Sequence, residues 1–205
     1  MNFVKKFLKY LCILLVGGVF MLLCYFIFLF SMYSKDQNNA WRYDIRNIVC
    51  IRLCNAAAKG DIEIIKYYIE KDNKYANTID LNSAESILTI AIINRHYDIC
   101  RYLLRKGAIG DKKDIIHGFS AIYYAVQNND LYAVQLLLKY NANVNDVSSL
   151  SSNRITPIFI AINNNNKELL IALINAHANI NHQNIYGQTP IYYAIKNHSL
   201  INILV

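Results

Sequence analysis

The side chains best able to do chemistry in this 205-residue chain are five histidines and five cysteines. A metal site needs several such groups at short, fixed spacings, as in His-Glu-x-x-His or paired Cys-x-x-Cys. His96, His117, His177, His182 and His198 show no spacing of that kind. Cys12 and Cys24 fall in an apolar run, and Cys50, Cys54 and Cys100 form an odd set without a Cys-x-x-Cys pair. That pattern suits neither a zinc site nor a disulfide framework; thiols buried as small apolar side chains are the expectation. Cys100 has no histidine that the sequence places beside it as a dyad, and no glycine-rich phosphate loop occurs. The chain therefore reads as a non-enzyme, with no metal, no cofactor and no small-molecule substrate.

Charge narrows the partners further. The formal net charge of +7 would suit nucleic acid if it were gathered into one patch. Lys5, Lys6 and Lys9, however, sit in an acid-free N-terminal flank, which leaves 18 basic against 14 acidic residues with no visible stripe. A solvated, mildly basic surface accounts for this, and no nucleic-acid partner is expected. Charged residues are only 17% of the chain, below the roughly 25% of an average soluble protein.

Much of that deficit is local. From Tyr10 to Phe30 there is no charged residue. At about 1.5 Å per residue, a helix of that length covers a hydrocarbon core of about 30 Å. The run is long and aromatic (Phe20, Tyr25, Phe26, Phe28, Phe30) and lacks an Ala-x-Ala pattern, so an uncleaved membrane helix within residues 1–33 is expected rather than a signal peptide. Lys5, Lys6 and Lys9 oppose Lys35, Arg42 and Arg46 at the other end. The tighter N-terminal cluster tips the balance toward a single-pass chain with a cytoplasmic N-terminus and repeats on the far side. Residues 34–50 read as a linker.

The elements beyond it are set by a repeat. An alanine after a short apolar cluster recurs at Ala56, Ala91, Ala125, Ala161 and Ala194, with spacings of 35, 34, 36 and 33 residues. The preceding residues read Thr156-Pro157-Ile158-Phe159-Ile160 and Thr189-Pro190-Ile191-Tyr192-Tyr193 in the clearest copies. Ser120-Ala121-Ile122-Tyr123-Tyr124 and Ser86-Ile87-Leu88-Thr89-Ile90 follow, and Ile51-Arg52-Leu53-Cys54-Asn55 is the most worn. Ser or Thr suits a helix N-cap, and Pro suits the first helical position, where no N–H partner is needed. Sixteen residues after the three middle anchors come Gly107-Ala108, Asn141-Ala142 and His177-Ala178, where Gly and Asn suit the left-handed residue that ends a helix. Amphipathic stretches precede them at 99–104, 133–138 and 169–174, with 62–69 in the same register. The Asn163–Asn166 run falls at a turn between two helices.

The hexapeptides resemble the Thr-Pro-Leu-His-x-Ala signature of ankyrin repeats, and the second landmark resembles that family's helix-ending Gly-Ala. The resemblance implies an all-α ankyrin-repeat solenoid over residues 51–205, preceded by a single transmembrane helix. Its repeats would fall at about 51–82, 83–116, 117–152, 153–186 and a partial 187–205. The connecting hairpins are longer than standard between the first two repeats and around Ser148–Ser152. At the signature histidine stand Cys54, Thr89, Tyr123, Phe159 and Tyr192, so the polar bracing usual there is expected to be lost. Ile201, Ile203 and Leu204 would leave an apolar end, which a continuing chain, fraying or another protein would account for.

Function follows from the same resemblance: such stacks hold a protein partner on a rigid surface of hairpin fingers and inner-helix ends, which loses little entropy on binding. By register, the positions facing that groove are Asn94, Gln127, Asn128, Asn163, Asn164, Ile185, Tyr186, Gln188, Lys196 and Asn197. An amide-rich, nearly uncharged groove implies hydrogen-bonded recognition with weak salt dependence. The chain thus reads as a membrane-anchored interaction scaffold, held in the bilayer by residues 10–30. The alternative is a structural or shielding subunit of a membrane complex.

Overall fold

The computed structural model describes residues 47–82, 84–147, 153–198 and 200–204. The expected membrane helix lies outside them, as does all of the expected linker before residue 47. Among the described residues no helix is long and apolar enough to cross a membrane.

Helix α1 covers residues 47–59, so the last four positions of the expected linker are already helical. The reason is packing: Val49, Leu53, Ala56 and Ala57 are buried at helical spacing. Short helices α3 (Ile87–Ile93), α5 (Ala121–Gln127), α7 (Pro157–Asn163) and α9 (Pro190–Lys196) stack in sequence order, α3 on α5, α5 on α7 and α7 on α9. Each of the first three pairs with the helix after it: α4 (Tyr97–Arg105), α6 (Leu131–Lys139) and α8 (Lys167–Asn175). Helix α2 (Ile62–Lys71) is the counterpart of these outer helices at the N-terminal end, followed by a 3-10 turn at Asn73–Asn77, and α10 (Ile201–Leu204) packs on α9. One continuous core runs from Val49 to Ala194.

The anchor alanines do two jobs. Their methyls are buried, which lets neighbouring helices approach. The carbonyls of four of them accept the bond that closes the helix: Asp61 N–H to Ala56, His96 to Ala91, Asp130 to Ala125 and Asn166 to Ala161, at 2.9–3.1 Å. The residue just before each donor is left-handed: Gly60 (φ +82), Arg95 (+59), Asn129 (+55) and Asn165 (+51). Outer helices end likewise on Gly107 (+85), Asn141 (+60) and His177 (+63), with Ala108, Ala142 and Ala178 closing the motif onto Leu103, Leu137 and Leu173. Gly60 has a second constraint, because a Cβ there would lie 2.7 Å from the His96 ring.

Capping differs in part from expectation. Ser86 accepts from the Thr89 N–H at 3.0 Å, but Ser120, Thr156 and Thr189 bond no helix N–H. Their extended backbone still starts each helix, and Pro157 and Pro190 remove one orphan donor at the first position.

Candidate functional site

The hairpins between helix pairs are built from asparagine and aspartate. Asn77 donates through Nδ2 to the Gly107 carbonyl (3.2 Å) and accepts through Oδ1 from Ile109 N–H (2.8 Å). Asn145 makes the same two-pronged clamp on the next hairpin, to His177 O (3.3 Å) and from Asn179 N–H (2.7 Å). Between them Asp111 has no N–H to give, and it only accepts from Asn143 N–H at 2.8 Å. A ladder of short polar side chains thus fixes each hairpin to its neighbour. Lys113 ties the second and third further, pairing with the buried Asp146 at 2.9 Å and donating to the Val147 carbonyl.

Each described hairpin tip is folded around a second acid or amide. Asp114 accepts from Ile116 (2.9 Å), His117 (2.6 Å) and Phe119 (2.9 Å) N–H groups and from the Tyr124 hydroxyl (3.2 Å). Burial pushes this carboxyl up, but the donors from His117, Phe119, Ile116 and Tyr124 outweigh it and hold it below the usual carboxylate range. Asn184 does the same in the fourth hairpin, accepting from Tyr186 (2.9 Å) and Gln188 (3.0 Å) N–H groups while its Nδ2 reaches Gln188 Oε1 (3.0 Å) and the Tyr193 hydroxyl (3.3 Å). In the first hairpin Asp80 accepts from Asn82 N–H at 2.9 Å. Tyr124 and Tyr193 precede the anchor alanines, so hairpin bracing has moved one position along from the signature histidine. At that position itself Thr89 keeps a 2.9 Å bond to Ser86. The expected loss of bracing is therefore partial.

With the turn backbone folded inward on these acceptors, the side chains that follow them point out. Leu81, Ile115, Ile116, Ile185 and Tyr186 are 47–68% exposed. They sit one and two residues after Asp80, Asp114 and Asn184. Large apolar side chains held exposed on rigid turns are the surface feature that most calls for a partner.

Of the residues that register places on the groove, Ile185 and Tyr186 belong to this row, and Gln127, Asn128 and Lys196 are exposed at inner-helix ends. Asn94, Asn163 and Asn197 are exposed as well and Asn164 and Gln188 half-buried, and these five are hydrogen-bonded to neighbouring residues. Asn94 Nδ2 donates to Ile90 O (2.8 Å), and Asn164 Nδ2 to Val126 O (3.2 Å). Asn197 Nδ2 donates to Asn163 Oδ1 (2.9 Å), and Gln188 belongs to the Asn184 turn. Leu81, Ile115 and Ile116 were not legible as surface from composition. The signal that could have found them is their fixed offset from Asp80 and Asp114.

Burial pushes the Cys54 and Cys100 thiols up to about 12, which keeps them protonated and inert at neutral pH. Among the described residues no group of three or more His, Cys, Asp or Glu could hold a metal ion.

Helix pairs stacked in series, with hairpins locked side by side and tips presented outward, define a repeat solenoid. The family model for ankyrin repeats matches residues 53–148 and 143–205, and the chain belongs to the ankyrin repeat family. It is 30% identical over 148 residues to an ankyrin repeat protein of Fowlpox virus, 72% of this chain and 32% of that protein. A second ankyrin repeat protein of that virus is 30% identical over 163 residues, 73% of this chain and 45% of its own length. Alpha-latrotoxin-Lg1a of Latrodectus geometricus is 32% identical over 164 residues, 77% of this chain and 11% of the toxin. The chain spans less than half the length of each of these relatives.

Proposed function

We propose that this chain is a membrane-anchored scaffold that holds a protein partner against its hairpin tips and inner-helix ends. The observation that carries the reading is the row Leu81, Ile115, Ile116, Ile185 and Tyr186, exposed on turns whose backbone is tied inward. Gln127, Asn128 and Lys196, with Asn94, Asn163, Asn164, Gln188 and Asn197, extend the proposed surface along the inner-helix ends, the last five held by hydrogen bonds. Anchoring rests on the uncharged run from Tyr10 to Phe30, and the orientation reading puts the stack on the far side from the cytoplasm.

Site-specific photocrosslinkers at Ile116, at Tyr186 and, as an outer-helix control, at Gln135 test the reading in cells expressing the full chain. Discrete adducts at the two tips and none at Gln135 are expected. Equal crosslinking at all three would instead favour the shielding subunit. The captured complex should be nearly insensitive to salt between about 50 and about 200 mM, because the tips carry no charge to screen. Reporter fusions at both termini test the topology, and a cytoplasmic C-terminus would reverse the orientation.

A further inference from the structure

We infer that the cavity between α1 and α2 is a second docking site, and that it takes an acidic peptide segment of a protein partner. It shares no residue with the row of hairpin tips and stands on separate observations.

The cavity has a volume of about 350 Å³ and is lined by Arg52, Glu63, Ile64, Tyr67 and Tyr68. The two tyrosine rings hold two cations. The Arg52 guanidinium stands 6.0 Å from the centre of the Tyr68 ring and donates to its hydroxyl at 3.4 Å. The Lys71 ammonium stands 3.9 Å from the centre of the Tyr67 ring and donates to that hydroxyl. This bond, with the charges of Lys71 and Arg52, holds the Tyr67 hydroxyl below its usual value, so both cations act on the same side chain.

The acids of α2 and its caps are committed elsewhere. Asp61 accepts from Ile64 N–H at 3.2 Å, Glu63 pairs with Lys66 at 2.8 Å, and Asp72 pairs with Lys74. The charge of Glu70 is felt at Lys66 and Tyr102. Among the described residues neither Arg52 nor Lys71 forms an ion pair. Arg52 therefore keeps N–H donors free, in the planar fork that grips a carboxylate with two parallel bonds. Its ring contact also restrains it beforehand, which lowers the entropy lost on binding.

Register narrows the occupant. Four residues before each anchor alanine, Arg52 corresponds to Ile87, Ala121, Pro157 and Pro190, all of them buried. Arg52 is exposed, and covering it with another repeat would strip its charge of water without supplying a partner. Neither a further repeat nor a second copy stacked end-on suits it. A lone phosphate asks for donors that converge on one point, whereas each cation here is held on a ring of its own. Tyr67 and Ile51, 54% and 52% exposed, add apolar surface beside them. Two positive points with apolar surface match acidic side chains flanking an apolar one, which a peptide segment provides.

The probe is a displayed library of random 12-residue peptides, selected on the full chain in detergent. Binding is then measured on the Arg52→Gln, Lys71→Gln double variant and on a charge-matched control, Lys139→Gln with Lys167→Gln, on outer helices α6 and α8. All four side chains are exposed, so both variants should keep the fold, which circular dichroism checks. The expected binders carry Asp or Glu beside an apolar residue. They should lose affinity at least about tenfold on the first variant and less than about twofold on the control. They should also weaken between about 50 and about 200 mM salt, which separates this site from the uncharged tips. Equal losses on both variants would reduce the site to the overall positive charge of the chain and overturn it. Acidic binders indifferent to Arg52 and Lys71, or no acidic binders at all, would overturn it as well. Binding to phosphatidylserine vesicles that needs both cations, in place of peptide, would replace the acidic segment with a lipid surface.

Discussion

The second and fourth hairpins solve the same problem with different chemistry. Both must tuck backbone N–H groups inward so that two apolar side chains can stand out, Ile115–Ile116 in one and Ile185–Tyr186 in the other. The second uses a carboxylate, Asp114, and the fourth uses an amide, Asn184. Each is buried, each gathers N–H groups of its own turn, and each is braced by the tyrosine before the next anchor alanine. The geometry therefore asks for acceptor oxygen at this position, and charge is optional. Charge does bring two consequences: stronger bonds, and sensitivity to acid.

The most direct way to break the pairing is to remove both acceptors. Asp114→Ala removes the buried acceptor of three N–H groups and a tyrosine hydroxyl, and should cost about 2–4 kcal/mol. Asn184→Ala strands as many groups (two N–H donors, the Gln188 amide oxygen and the Tyr193 hydroxyl), but each faced a neutral partner, and it should cost about 1–3 kcal/mol. Urea unfolding of the two variants gives the ranking. Equal losses would mean that the carboxylate contributes nothing beyond what an amide does.

Titration separates the hairpins more finely. Because the folded Asp114 carboxyl lies below the usual carboxylate value, its contribution is complete above that value and is lost as pH falls through the folded one. The stack should weaken through this group below about pH 4. Asp114→Asn should flatten that part of the acid limb. It should also cost about 1 kcal/mol at neutral pH, since an NH2 placed where Oδ2 now accepts from Phe119 would face a donor. An unchanged slope of stability against pH would show that the bonds to Asp114 are not what depresses it.

How far these features could be read beforehand depends on the range of the interaction. The anchor alanines and the residues that end helices were legible, because their roles are local. Ala91 needs only a small side chain and a carbonyl, and Gly107 only a left-handed backbone. The use made of the asparagines was not. Asn164 looks like any turn residue until a carbonyl 38 positions earlier, Val126 O, takes its amide and ties one repeat to the last. The apolar tips were hidden for the opposite reason: Ile115–Ile116 reads as core when considered alone. Its exposure follows only once Asp114 is seen to hold the turn from inside. Transfer of hairpin bracing from the signature position to Tyr124 and Tyr193 was equally out of reach, since a tyrosine hydroxyl shows its partner only when the turn is in place.

The smallest expected effect compares the hairpins at a third position, two residues before each inner-helix cap. All four are left-handed there: Ala84 (φ +55), Gly118 (+69), Arg154 (+50) and Gly187 (+70). For an L-residue that conformation costs about 1–2 kcal/mol. A substitution to glycine recovers this but gives back about 0.4–1 kcal/mol through the freer unfolded chain. Ala84→Gly and Arg154→Gly should therefore stabilise by about 0.5 kcal/mol each; the Arg154 carbonyl that bonds His182 at 2.9 Å is retained. Gly187→Ala meets no atom within 4 Å, so it should run the same cycle in reverse and cost about 0.5 kcal/mol. Thermal unfolding of the three variants reads both signs at once. A stabilising Gly187→Ala would show that the turn relaxes out of the left-handed region, and the rigidity claimed for the fourth fingertip would fall with it.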